Sequence, residues 1–201
     1  KVNSDLANKI SKKFFEMVVA PNFDNGALKI LKNKKNLILL NMPKIKLQIK
    51  EYKSTLFGDL HQSKDLIPIN HKFIFLSSKK KASLKSITDL IFSLKVAKHL
   101  KSNAIVLSRN KQTLGLGHGQ TNRVDALVSA IKNMKKYFNK RDFVCASDGF
   151  FPFTDSINLL NKNGCTIVAQ PKGSINDKKI ISFSIENKIS LYFIKHRLFK
   201  H

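Results

Sequence analysis

Apolar positions along the chain alternate between two spacings, and the alternation sketches the fold before any single residue is considered. Spacings of three and four mark amphipathic helices at about residues 5–15, 25–32 and 83–100. The last of these, SLKSITDLIFSLKVAKHL, can be capped by Ser83 or Ser86. Short apolar runs mark strands: MVVA ending at Pro21, NLILL from Asn36, and IKLQIKEYK from Ile45, whose alternation suits a half-exposed strand. Beyond residue 103 the order becomes regular. NAIVLS from Asn103 and QTLGL from Gln112 read as strands, followed by a helix to about Phe138 and the strand DFVCASD from Asp142. A helix near 155–161, the strand TIVAQ from Thr166, a helix near 177–187 and the strand SLYFI from Ser190 complete the series. The pattern predicts an α/β protein, layered α/β/α, with a mixed and largely parallel sheet and a hairpin between residues 103 and 116. No internal repeat or low-complexity tract interrupts it.

In such a sheet, ligands gather where strand carboxyl ends meet helix amino ends. Three unusual segments fall there. In TLGLGHGQTNRVDALVSAIKNM, residues 113–134, Gly115, Gly117 and Gly119 precede a run in which Val124, Leu127, Val128 and Ile131 share one helical face. The glycines can turn successive N–H groups toward an anion, Asn122 can cap the helix, and Arg123 offers a planar cation. A tight strand-to-helix turn that binds nothing fits the spacing equally well. SDGFFPFTD, residues 147–155, surrounds Pro152 with phenylalanines and sets Asp148 and Asp155 at its ends. It suits a planar heterocycle, or a plug over the sheet with Asp155 as a helix cap. QPKGSINDK, residues 170–178, is a third candidate, whose backbone N–H groups near Ser174 can meet a ligand oxygen or simply close a capped turn.

Composition narrows the class. No apolar run approaches the roughly 18 residues that a membrane span needs, so a soluble protein without a membrane partner is expected. The chain opens on Lys1 with no apolar leader, which reads as a cut or processed end. Cys145 and Cys165 lie in apolar stretches without ligand spacing, which predicts reduced core thiols and a cytoplasmic setting. The six histidines form no HxxxH or HExxH pattern, so no metal is expected. The formal charge is +24, yet only four of the 37 basic residues are arginine, at 109, 123, 141 and 197. With the abundance of Asn, Ile and Phe, this reads as a drift of the whole composition and predicts no specific nucleic-acid partner; a basic nucleic-acid-binding module is the competing reading. Where lysine fills nearly every basic position, a retained arginine points to its fork geometry, and Arg123 and Arg197 sit in the suggestive contexts.

Five stretches in order, LKVAKHLKSNAIV, LGLGHGQTNRVDA, ASDGFFPFTD, AQPKGSINDK and the terminal HRLFKH, resemble the C-terminal part of the bifunctional purine-biosynthesis enzyme family AICAR transformylase/IMP cyclohydrolase. The resemblance covers the transformylase domain from about Val2 onward. It implies two cytidine-deaminase-like halves, with residues 1–70 the remainder of the first and 71–201 the second, which carries the substrate loops. It implies formyl transfer from the co-substrate 10-formyltetrahydrofolate to aminoimidazole carboxamide ribonucleotide (AICAR) on the route to IMP, without a metal, in a homodimer. By motif position, Asn103, Arg123, Phe150 and Arg197 match residues that contact the nucleotide, and Asn103 can also orient it. Val124, Asp155, Ser174 and Ile175 match residues around the folate. The family's catalytic Lys-His pair is expected upstream of this chain; Lys98-His99 has the same letters in the wrong context. His118, Thr154 and Lys172 depart from the family pattern. The expectation is therefore a chain that binds substrates without turning them over, with a non-catalytic relic as a further alternative.

Overall fold

The computed structural model describes residues 1–43, 49–138 and 141–200. The chain divides into two compact units, Lys1–Leu66 and Ile67–His201.

In the first unit, helix α1 (Ser4–Ser11) begins where the Asn3 side chain accepts from Leu6 N at 3.0 Å. It stops before the stretch that the periodicity extended to residue 15, and Phe14 and Phe15 are exposed. Strands β1 (Met17–Ala20) and β2 (Ile38–Asn41) pair in parallel, joined by α2 (Asn25–Lys32), which Asp24 caps at Ala27 N. Ala7, Ala27 and Leu31 are fully buried in a small core with Val2, Ala20 and Phe23. A hairpin of β3 (Lys50–Thr55) and β4 (Gly58–Ser63) follows, exposed along both strands. The start of the strand expected from Ile45 lies outside the described residues; the rest forms β3, with neither face buried.

The second unit is built on a six-stranded sheet. After a single 3₁₀ turn (His71–Phe73) come β5 (Ile74–Leu76), α3 (Leu84–Ala97), β6 (Ile105–Arg109), β7 (Gln112–Gly117) and α4 (Arg123–Tyr137). The chain continues with β8 (Phe143–Ser147), α5 (Thr154–Lys162), β9 (Cys165–Pro171), α6 (Asp177–Glu186) and β10 (Ser190–Ile194). The strand order is β5-β10-β9-β8-β6-β7. The pairs β8-β9 and β9-β10 are parallel, and β5, β6 and β7 join antiparallel, so the sheet is mixed, with its parallel part at the centre. The β6-β7 hairpin turns through Asn110 and Lys111, both at positive φ, and the buried Asp89 carboxylate accepts both of their N–H groups at 2.8 Å.

Alternation along the strands, interrupted at the irregularities beside Leu107/Ser108 and Phe143/Val144, separates two cores. Ile105, Leu107, Cys145, Val168, Leu191 and Phe193 turn to the face covered by α4, α5 and α6. Val106, Val144, Ala146, Ala169, Tyr192 and Ile194 turn to the face covered by α3. This is the layered α/β/α arrangement that the alternating periods predict.

Candidate functional site

Strand direction decides what meets what. β7, β8, β9 and β10 share one direction, so the connections that leave Gly117, Ser147, Pro171 and Ile194 emerge along one edge of the sheet. β6 runs the opposite way and brings Ser102, Asn103 and Ala104 to the same edge.

The glycine loop is not the anion nest that its spacing allows. Gly115 and Gly117 are strand residues, and a Cβ on either would run into the carbonyl of Ala130 or Ala126 in α4. They are glycine so that strand and helix backbones can touch. Only Gly119 of the three takes positive φ (65°), and its N–H is already given to Lys101 O at 2.7 Å. The buried face of α4 is correspondingly shifted: Ala126, Leu127, Ala130, Ile131 and Met134 face inward, whereas Val124 and Val128 are about half exposed. Asn122 does cap the helix, its Oδ1 accepting from Asp125 N at 2.8 Å. His118 is exposed.

Arg123, at the first position of α4, is drawn inward. Its Nε donates to Phe150 O at 3.1 Å, its Nη2 to Asn103 Oδ1 at 2.9 Å, and its Nη1 to Ser147 Oγ at 3.2 Å. Nη1 also forms an ion pair with the fully buried Asp148 carboxylate. The second carboxylate oxygen accepts from Ser102 Oγ at 2.5 Å. Burying a charge pair is tolerated only when its remaining donors and acceptors are met, and here the two hydroxyls and the Asn103 amide meet them. Asn103 completes the knot: its Nδ2 donates to Gln120 O (3.0 Å) and Thr121 O (3.2 Å), tying the loop before α4 to the mouth of β6. The Ser102–Asn103 peptide bond is cis.

Arg197 is placed differently. It is exposed, and its Cζ lies 5.1 Å from the centre of the Phe150 ring and 5.6 Å from that of Phe199. The structure thus brings Asn103, Arg123, Phe150 and Arg197 into one cluster. Sequence reasoning missed the roles of Ser102 and Phe199 there and saw Asp148 only as one end of its loop. An acidic residue directly after a buried strand, and an aromatic two places from an arginine, were the available signals.

The residues assigned to the folate are more scattered. Asp155 stands in the first turn of α5, exposed, in a cleft of about 250 Å³ with Phe153, Thr154, Asn176 and Lys179. The helix is capped by no side chain, so Asp155 is not the cap that the sequence allowed. Asn176 Nδ2 donates to Pro152 O at 2.7 Å and joins this loop to the one before α6. In that second loop Ser174 Oγ accepts from Asn176 N at 3.2 Å, and Ile175 is fully exposed. Val124, about half exposed on α4, is not among the residues that line this cleft. Among the described residues no group of three or more His, Cys, Asp or Glu is arranged to hold a metal ion. Among the described residues no helix is long and apolar enough to cross a membrane.

Both thiols are deep in the core. Burial pushes the Cys145 thiol up, and the neighbouring Cys165 adds to the shift. Burial likewise lifts Cys165 to about 12, opposed in part by hydrogen bonding with the Ile167 backbone.

Sequence comparison finds relatives that match the chain from end to end. A bifunctional purine biosynthesis protein, PurH, of Caldicellulosiruptor bescii is 41% identical over 203 residues, covering 100% of this chain and 39% of its own length. The PurH proteins of Aquifex aeolicus and of Buchnera aphidicola subsp. Schizaphis graminum are 38% and 44% identical, covering 100% and 98% of this chain. The chain therefore spans about two fifths of the length of the curated relatives it matches. The model of the AICARFT/IMPCHase bienzyme matches residues 1–133, which is most of the sequence. On that match, and on relatives aligned from one end of the chain to the other, the chain belongs to the AICARFT/IMPCHase bienzyme family.

Proposed function

We propose that this chain carries the substrate-binding loops of a formyltransferase in purine biosynthesis, which moves a formyl group from 10-formyltetrahydrofolate to the amine of AICAR. The observation that carries the reading is the cluster at the sheet edge, where an exposed guanidinium, an aromatic ring and a rigid amide network stand together. Arg197 supplies the charge for an anionic group of the nucleotide. Phe150 supplies a face for its flat ring. Arg123 and Asn103, both engaged in internal hydrogen bonds, hold the Phe150 carbonyl and the loop before α4 in register, so their contribution to the nucleotide is chiefly one of shape. The cleft at Asp155 suits the N–H edge of a pterin, with Ser174, Ile175 and Val124 around the folate.

In the reaction the amine nitrogen attacks the formyl carbon, a proton leaves the nitrogen, and the tetrahedral adduct collapses by breaking the bond to folate N10, which takes up a proton. The amine is a poor nucleophile, and the family's Lys-His pair, expected outside this chain, is the group that assists its deprotonation. The chain alone is thus a binder whose turnover is lower by about 10²-fold to 10⁴-fold. A homodimer, with small-molecule nucleotide and folate as partners, belongs to the same proposal.

Calorimetric titration in moderate salt tests it. AICAR is expected to bind the chain and to lose affinity with Arg197→Ala, while folate affinity falls with Asp155→Asn. Binding indifferent to Arg197→Ala, together with tight, steeply salt-dependent association with RNA, would support the basic-module reading instead.

A further inference from the structure

The two arginines of the cluster are held by opposite means. Arg123 is neutralised by a buried carboxylate and spends its donors inside the protein. Arg197 has no carboxylate partner among the described residues and is held by two rings, Phe150 and Phe199. The Phe199 ring also lies 5.9 Å from Arg123 Cζ, so one ring serves both cations.

We propose that Phe199 is a positioning residue for Arg197, fixing its guanidinium at the rim of the site with its charge and N–H groups available to an anionic group of the ligand. This deepens the nucleotide reading above and rests on it. A ring attracts a cation without cancelling its charge or using its hydrogen-bond donors, whereas a carboxylate would do both and compete with the ligand.

The placement of the ring is tightly determined. Leu198, beside it, is buried, and its N–H donates to Asp148 O at 2.9 Å. On the other side Lys200 O accepts from Ser102 N at 2.8 Å, and Lys200 N donates to Ser102 Oγ at 3.3 Å. Ser102 and Asp148 are the residues that anchor Arg123, so the tail and the buried ion pair share one frame. Gly149 leaves room for the ring: a Cβ there would stand 2.8 Å from Phe199 Cε1 and collide with the Arg123 guanidinium. With Leu198 turned inward, Arg197 and Phe199 project on the same side of the tail.

The test compares the 201-residue chain with Phe199→Leu, which keeps an apolar group without the ring, and Phe199→Tyr, which keeps the ring. Phe199→Leu is expected to melt with the unaltered chain yet bind AICAR about threefold to tenfold more weakly, and Phe199→Tyr to bind as the unaltered chain does. The Nε–Hε resonance of Arg197, identified by its loss in Arg197→Ala, is expected to move in Phe199→Leu toward the position of a solvated arginine. Equal AICAR affinity in Phe199→Leu, or an unmoved resonance, overturns the proposal. Should AICAR fail to bind the unaltered chain, the nucleotide reading falls, and inorganic phosphate decides the positioning claim: weaker phosphate binding by Phe199→Leu sustains it, and equal or absent binding overturns it.

Discussion

The Asp148 carboxylate is fully buried, and Arg123 is its ion-pair partner. Asp148→Asn keeps the shape of the side chain but leaves the guanidinium uncompensated in a low-dielectric setting. The expected loss of stability in urea unfolding is about 3–5 kcal/mol, against less than about 0.5 kcal/mol for the exposed Arg197→Ala. Equal, small effects of the two would mean that the pair is not structural. The scarcity of arginine did point to both residues, because lysine cannot make several directed bonds from one planar group. Which arginine turns inward was not legible, since Asp148, Ser102 and Asn103 come from separate segments that only the fold brings together. The cysteines were legible as core residues from their apolar neighbours. Their raised pKa values have a signed consequence. Below the ordinary value of 9.0, the thiol of Cys165 is neutral folded or unfolded. Above it the unfolded chain releases the proton first, so this residue subtracts stability as pH climbs from 9.0 toward about 12. At neutral pH a thiol reagent is expected to label neither cysteine until denaturant is added; rapid labelling of the native chain would contradict this burial.

At the scale of elements, the contact between β7 and α4 sets the mouth of the site. Gly117→Ala places a methyl group against the Ala126 carbonyl, and neither backbone can retreat without disturbing the β6-β7 pairing or the Asn122 cap. The expected cost is about 1–3 kcal/mol or more, read by thermal melting, with broadened resonances in α4; an unchanged melt would show that strand and helix are not in contact there. The same contact explains an error of pattern reading. Spacing alone assigned the inner face of α4 to Val124, Leu127, Val128 and Ile131, but the glycines opposite select the small Ala126 and Ala130 for closest approach, and the helix turns Val124 and Val128 outward. The elements from residue 83 onward were legible because the helices α3 and α4 each bury one face, and the strands β6, β8 and β10, buried on both faces, read as continuous apolar runs. The three-residue β5 was not: it is too short to show a period and exists by pairing with β10, more than a hundred residues away. Likewise α1 ends at Ser11 although its periodicity runs further, because Lys12 and Lys13 are exposed and the aromatics beyond them reach no core.

For the whole molecule, the decisive feature is the common direction of β7, β8, β9 and β10, which delivers four connections to one edge of the second unit. The excess of lysine contributes nothing comparable. Lys32, Lys34, Lys35 and Lys79–Lys81 are all exposed and lie in separate stretches, a distribution that favours solubility and weak attraction to polyanions. Family membership follows from matches along the sequence, while the chain covers about two fifths of its relatives' length, so the proposed reaction belongs to the longer proteins and the proposed binding to this chain. Mapping where the nucleotide sits tests that claim most directly. On titration with AICAR in moderate salt, backbone amide shifts are expected to concentrate at residues 102–104, 118–123, 147–151 and 196–199. Shifts confined to the lysine-rich stretches, or none at these four segments at saturating nucleotide, would contradict the account.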